Sequence, residues 1–269
     1  MRTDPKLKKL VAEVQKLGGH LWEKGWAEKN AGNVSVRVTD LFPQTAPQKG
    51  AFVPRPIAQA DLAGDCFLVT ATGARFRDVA VDPERWSSVV RVAKDLSGFQ
   101  LLWGGKATGW APTSELPSHL KIHSLLKKSG GRDKAVLHTH PTELVALTHL
   151  PDLPKGQGFT DLLWSMIPEV KMYTPGGAAL APYWTPGTEE LANLTLEVLK
   201  TGAECVVWEM HGTLSVGPGP MEAFDVVDVC NKAAQVYLLA RGAGVIPKGM
   251  TEAQLAEIEK NFPKPGPRV

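Results

Sequence analysis

A chain of 269 residues that is 43% hydrophobic and 22% charged carries enough apolar material for a packed core, which excludes a disordered chain. Its formal net charge of +2 argues against a dedicated nucleic-acid or membrane surface. Cys66, Cys205 and Cys230 are odd in number and each sits in an apolar run, so they fit reduced, buried thiols in a cytoplasmic protein and exclude a disulfide framework.

The N-terminus, Met1 to Lys6, leads into a charged helical pattern without the apolar centre of a signal peptide, and no run is long enough to span a bilayer. No internal repeat breaks the chain, and residues 1–269 read as a single domain. Leu7, Leu10, Val11, Val14 and Leu17 recur at helical spacing, which predicts a helix from Pro5 to Leu17 stopped by Gly18-Gly19. Asn30-Ala31-Gly32-Asn33 then opens an alternating strand, Val34 to Val38. Two asparagines and a glycine can aim amides at an anion, or simply make a turn. Leu41 to Ala60 holds four prolines and no clear period, and 43–56 reads as a surface excursion. Cys66 to Thr70 reads as a buried strand, delivering Thr70-Ala71-Thr72-Gly73, a second possible phosphate cradle.

Arg85 to Leu96 reads as helix and Phe99 to Trp103 as strand, followed by a Gly-rich loop to Pro112. Thr113 or Ser114 is the expected N-cap of the next helix, with Glu115 in its first turn. His119 and His123 lie on the leucine face of that helix, where packed core histidines are expected. Glu143 to His149 and Phe159 to Ile167 read as helices, with Glu169 just beyond. Pro186-Gly187-Thr188-Glu189-Glu190 starts a helix that runs to Lys200. Ala203 to Gly212 reads as a strand with a histidine near its end, and Leu214 to Val216 as a short strand. Met221 to Arg241 and Thr251 to Asn261 read as helices, the second with a Thr251…Gln254 capping box. Residues 262–269 read as a loose tail.

The chemistry centres on Ala135-Val136-Leu137-His138-Thr139-His140-Pro141. Side chains two apart on a strand share a face, so His138 and His140 stand together where the strand ends. Two imidazoles in that arrangement suit a divalent transition metal. His211, delivered by a later strand and followed by Gly212, completes a candidate set. Three imidazoles with an open fourth position describe a catalytic site, not a structural one. Glu115 is the nearest preceding acid on a helix start, a candidate fourth ligand or general base. Other His-x-His families fit poorly. Metallo-β-lactamase-like enzymes need an acid where Thr142 stands. Amidohydrolases place the pair on a first strand of a βα barrel. Cupins need a glutamate slightly beyond Glu143.

Taken in order, the Asn30 to Asn33 loop, the Thr70 to Gly73 loop, Ser114-Glu115, His138-x-His140 and His211-Gly212 resemble the class II aldolase/adducin family over nearly the whole chain. The resemblance implies a three-layer α/β/α sandwich around a mostly antiparallel sheet, assembled as a cyclic homotetramer. It implies one Zn²⁺ per subunit on His138, His140 and His211, stabilising an enediolate. The ketose 1-phosphate would be received by Asn30, Gly32, Asn33, Thr72, Gly73 and Ser114. Glu115 would move the proton at the enediolate carbon. Glu169 would enter a neighbouring subunit's site and handle the aldehyde-side hydroxyl. The chain's length, the Pro186 helix start and Glu169 ahead of it point to the branch yielding dihydroxyacetone phosphate and lactaldehyde. Sister activities on the same scaffold are fuculose-1-phosphate cleavage, pentulose-phosphate epimerisation and methylthioribulose-phosphate dehydration. A non-catalytic adducin-like module is disfavoured, since such domains typically lack these ligands. No Schiff-base lysine is required, so Lys134 and Lys171 are expected to be solvated.

Overall fold

A computed structural model describes residues 4–42 and 50–263. Helix α1 (Pro5–Glu23) is capped by the Asp4 carboxylate and precedes strand β1 (Asn33–Arg37). Edge strand β2 (Phe52–Pro54), strand β3 (Cys66–Thr70), helices α2 (Phe76–Val81) and α3 (Pro83–Trp86), and strands β4 (Ser87–Val92) and β5 (Gly98–Gly104) follow. Then come α4 (Leu116–Ser129), β6 (Ala135–Thr139), α5 (Thr142–Leu147), α6 (Gln157–Met166), α7 (Pro168–Tyr173) and β7 (Ala178–Ala181). The chain closes with α8 (Glu189–Leu199), β8 (Cys205–Trp208), β9 (Gly212–Gly217), α9 (Pro220–Gly242) and α10 (Glu252–Asn261).

The strands form one nine-stranded sheet in the order β2-β5-β4-β3-β1-β6-β9-β8-β7. Every neighbouring pair is antiparallel except β7 with β8. One face, through Val34, Val36, Leu68 and Leu137, packs on α1, α2 and α9; further along, Cys205 and Val207 pack on α5, α6, α7 and α9. The opposite face, through Phe67, Val69, Val136, Val206 and Leu214, is covered by α4 and α8. Helices on both faces make the three layers that the family resemblance implied.

This topology gathers the candidate residues. β1 runs antiparallel to both β3 and β6, so the start of β1 lies at the same end of the sheet as the ends of β3 and β6. β9 runs antiparallel to β6 and β8, which brings the β8–β9 turn to that end as well. The loops carrying Asn30 to Asn33, Thr70 to Gly73, His140 and His211 therefore share one edge. A fifth loop, the one ahead of α4, joins them through backbone bonds, Thr113 N–H to Thr70 O at 3.0 Å and Thr72 N–H to Ala111 O at 2.8 Å.

Several sequence expectations are corrected. α1 does not stop at Gly18-Gly19 but runs to Glu23. Gly18 is buried where a Cβ would stand 2.7 Å from the Phe76 carbonyl oxygen, so it serves close packing of α1 on α2 rather than termination. The expected Arg85 to Leu96 helix is instead the short α3 followed by β4. All six residues of β4 are buried, and a strand covered on both faces loses the period-2 signature that would have identified it. The 43–56 excursion includes β2, an edge strand where Pro54 is tolerated; residues 43–49 lie outside the described residues. β7 was not anticipated. Of the expected tail, 264–269 lie outside the described residues. Lys171 is buried, not solvated, with Nζ 3.5 Å from the Trp164 ring centre and 3.5 Å from Glu259.

Candidate metal centre

His138, on the last turn of pleat in β6, is buried, and its Nδ1 lies 2.8 Å from the Thr213 carbonyl oxygen on β9. A carbonyl accepts only, so Nδ1 carries the proton and Nε2 keeps its lone pair. His140, just past the strand, points its Nδ1 at Glu28 Oε1, 2.7 Å away. Its Nε2 is likewise left for a ligand, 3.3 Å from His138 Nε2. Four ligands on an ion with bonds of about 2.0–2.1 Å in tetrahedral array stand about 3.3–3.4 Å apart, so this spacing fits a shared cation.

His211 sits in the β8–β9 turn, stacked on Trp208 with ring centres 5.0 Å apart. Its Nδ1 is buried without a hydrogen-bond partner among the described residues. The turn holds Met210 at φ 57, a left-handed conformation rare for that side chain, and Thr148 Oγ1 pins it by accepting from Met210 N–H at 2.9 Å. The ligating atoms of the three histidines all lie within 4.8 Å of one another. Gly212 is required by this closeness, because a Cβ there would meet the His140 ring and the Thr139 carbonyl oxygen at 2.7 Å. Burial, reinforced by the neighbouring imidazoles, pushes His138 down to about 3 and His211 down to about 4. Neutral rings are the form that binds a metal.

Glu115 stands at the N-cap of α4 instead of in its first turn, since Leu116 is the first helical residue. Thr113 does not cap the helix conventionally; its hydroxyl accepts from Glu115 N–H at 3.3 Å. The Glu115 carboxylate oxygen lies 3.8 Å from His138 Nε2 and accepts from Asn33 Nδ2 at 3.0 Å. Asn33 faces His138 across the β1–β6 register. Gly32, at φ +79, lets the chain pass where a Cβ would lie 2.8 Å from the His138 carbonyl oxygen. Asn30, Thr72, Gly73 and Ser114 are exposed on the loops around this cluster. Glu169 is exposed in the first turn of α7, and among the described residues no hydrogen bond or ion pair ties it to the three histidines. His119 and His123 are core histidines, as their leucine face indicated. Glu28, which orients His140, and Ser35, which touches both core histidines, stand outside the candidate residues drawn from the sequence. Glu28 lies in an unpatterned turn and leaves no sequence signal. Ser35 shares β1's face with Asn33, a period-2 clue that was available.

Residues 12–238 match the family model described as Class II Aldolase and Adducin N-terminal domain. The chain belongs to the class II aldolase and adducin family. A rhamnulose-1-phosphate aldolase of Bacteroides thetaiotaomicron is 38% identical, with 97% of each chain covered. Another, of Pectobacterium atrosepticum, is 34% identical over 94% of this chain and 93% of that one. Among solved structures, a sugar-phosphate aldolase from Thermotoga maritima superposes with a TM-score of 0.73 at 30% identity, covering 90% of this chain and 99% of that one. Membership in this family agrees with the expected fold and places the histidine cluster in a metal-dependent lyase scaffold.

Proposed function

We propose that this chain is a zinc-dependent class II aldolase that reversibly cleaves L-rhamnulose 1-phosphate to dihydroxyacetone phosphate and L-lactaldehyde, a step in rhamnose degradation. The observation that carries the reading is the convergence of His138, His140 and His211 with the Glu115 carboxylate 3.8 Å from His138, in a chain whose near-full-length relatives bear that activity in their names. One zinc ion per subunit on the three imidazoles would supply Lewis-acid polarisation of the ketose carbonyl, worth several kcal/mol of charge stabilisation.

The chain's own residues do the rest. Breaking the C3–C4 bond leaves an electron pair on C3, which must take a proton to become the hydroxymethyl carbon of dihydroxyacetone phosphate. Glu115 is the group placed to deliver that proton, and to remove it in the synthetic direction. Asn33 holds the Glu115 carboxylate by its amide. Asn30, Gly32, Asn33, Thr72, Gly73 and Ser114 would receive the phosphate and neighbouring oxygens, with backbone N–H groups of the turns as donors. The C4 hydroxyl must lose its proton as the aldehyde leaves, and Glu169 would take it from a neighbouring subunit of a homotetramer. No lysine is needed. Residues 1–269 would act as one domain. A cytoplasmic setting suits the three free, buried cysteines, and none of the described helices is long and apolar enough to cross a membrane.

The test is cleavage of L-rhamnulose 1-phosphate against L-fuculose 1-phosphate, followed by dihydroxyacetone phosphate release. Preference for the first supports the reading. Equal cleavage, or none of the first, overturns the substrate assignment.

A further inference from the structure

Behind Glu115 the polar groups continue into the core. Glu115, His119 and His123 recur every four residues, one stripe of α4 and its N-cap. Asn33 and Ser35 are two apart on β1, on the face turned toward that stripe. Two strand residues rise about 6.7 Å and four helical residues about 6 Å, so the two rows meet rung by rung. Asn33 Nδ2 is 3.0 Å from Glu115 Oε2, and Asn33 Oδ1 is 2.5 Å from His119 Nε2. His119 Nδ1 is 2.7 Å from Ser35 Oγ, which is 2.8 Å from His123 Nε2. All four residues behind Glu115 are buried.

We propose that Ser35, His119 and His123 are positioning residues for the reaction, a directional row of hydrogen bonds that fixes the Asn33 amide and through it the Glu115 carboxylate. This rests on the proposed role of Glu115. Its logic runs from one end to the other. An ionised carboxylate only accepts, so Asn33 must turn its NH₂ to Glu115 and its carbonyl oxygen to His119. His119 then donates through Nε2–H, and its bare Nδ1 accepts the Ser35 hydroxyl proton. Ser35 oxygen accepts from His123 Nε2–H. The far end enforces the same sense. Among the described residues, His123 Nδ1 is buried without a hydrogen-bond partner. In this sense it exposes only a lone pair; reversed, the row would leave a buried N–H without an acceptor, which folded proteins avoid. Burial separately keeps both rings neutral, pushing His119 down to about 4 and His123 well below its ordinary value. A neutral ring has the one donor and one acceptor that the row demands.

Two measurements decide it. In metal-free protein at neutral pH, long-range proton–nitrogen NMR reads the tautomer of each ring. Both His119 and His123 are expected as Nε2–H; an Nδ1–H form or a tautomer mixture at either ring overturns the proposal. Second, deuterium exchange into the hydroxymethyl group of dihydroxyacetone phosphate reports the Glu115 proton transfer without carbon–carbon cleavage. Ser35→Ala is expected to slow exchange by about 5- to 10-fold, the loss of one net hydrogen bond, with KM and metal content unchanged and with Ser35→Thr restoring the rate. Wild-type exchange in folded Ser35→Ala, or slowing that tracks metal loss, overturns it. Glu115→Gln separates the two claims: if that variant exchanges at the wild-type rate, the assignment of Glu115 fails, while the NMR result on the row stands by itself. Should Ser35→Ala not fold, the tautomers in the unaltered chain still decide.

Discussion

At the residue scale, each imidazole of the cluster is steadied by a neighbour outside it: the Thr213 carbonyl for His138, the Glu28 carboxylate for His140, and for His211 the Trp208 ring, which also lies 4.7 Å from the His138 ring. Hydrogen-bonded outer partners of this kind set which nitrogen would face a bound metal. The sequence pointed to His138 and His140 because a strand period sets them on one face, and to His211 and Glu115 because they stand just past a strand and just before a helix. It did not show Glu28, because a turn has no period to project from. Glu115→Gln is expected to retain metal and lose about 10²–10⁴-fold in turnover, the range for removing a general acid–base group; metal loss with no separate catalytic defect would make Glu115 a ligand instead. Gly212→Ala puts a methyl 2.7 Å from both the His140 ring and a backbone oxygen. Its metal affinity is expected to fall at least about 10-fold, as for a disturbed outer partner, which zinc titration of the purified variant checks.

At the element scale, the legible parts were those with a clean period or a clean boundary. β3 was read from Cys66 to Thr70 and observed there, since its apolar run is bounded by turns on both sides. The α10 capping box was read from Thr251 and Gln254 alone, and both of its hydrogen bonds are present. β4 was misread because its tertiary setting, wedged between β3 and β5 and covered on both faces, overrides local pattern. The Gly18-Gly19 pair was misread for a similar reason. Glycine is a helix breaker by propensity, but at Gly18 the α2 backbone stands so near that a Cβ would lie 2.7 Å from the Phe76 carbonyl oxygen. This gives an unusual sign prediction. Alanine favours a helix over glycine by about 1 kcal/mol, yet Gly18→Ala is expected to destabilise by about 1–3 kcal/mol, because the added methyl meets rigid backbone. A lowered urea midpoint at unchanged m-value confirms it; a raised midpoint contradicts the packing account.

At the scale of the whole molecule, the proposed chemistry falls at one end of the sheet, and that end is assembled from loops spread between Asn30 and His211. The family resemblance implied the layers, while the strand order, and hence which loops meet, became visible only in three dimensions. Folding also buries imidazoles in neutral form, which links stability to pH. His119 is pushed down to about 4 and His138 to about 3, against an ordinary 6.5. Between about pH 6.5 and pH 4 the unfolded chain binds protons that the folded chain refuses, so stability falls as pH drops through that window. The metal-free protein is expected to lose up to about 1.4 kcal/mol per pH unit for each such ring below pH 6.5, on thermal melts from pH 7 to 5; melts flat across that range would contradict buried neutral histidines. The central claim is that His138, His140 and His211 hold a single divalent ion. It is tested most directly by the metal-to-chain ratio of the purified protein beside His138→Ala, His140→Ala and His211→Ala. The account predicts one ion per chain in the parent and a loss in every variant, and a ratio that none of the three substitutions changes would contradict it.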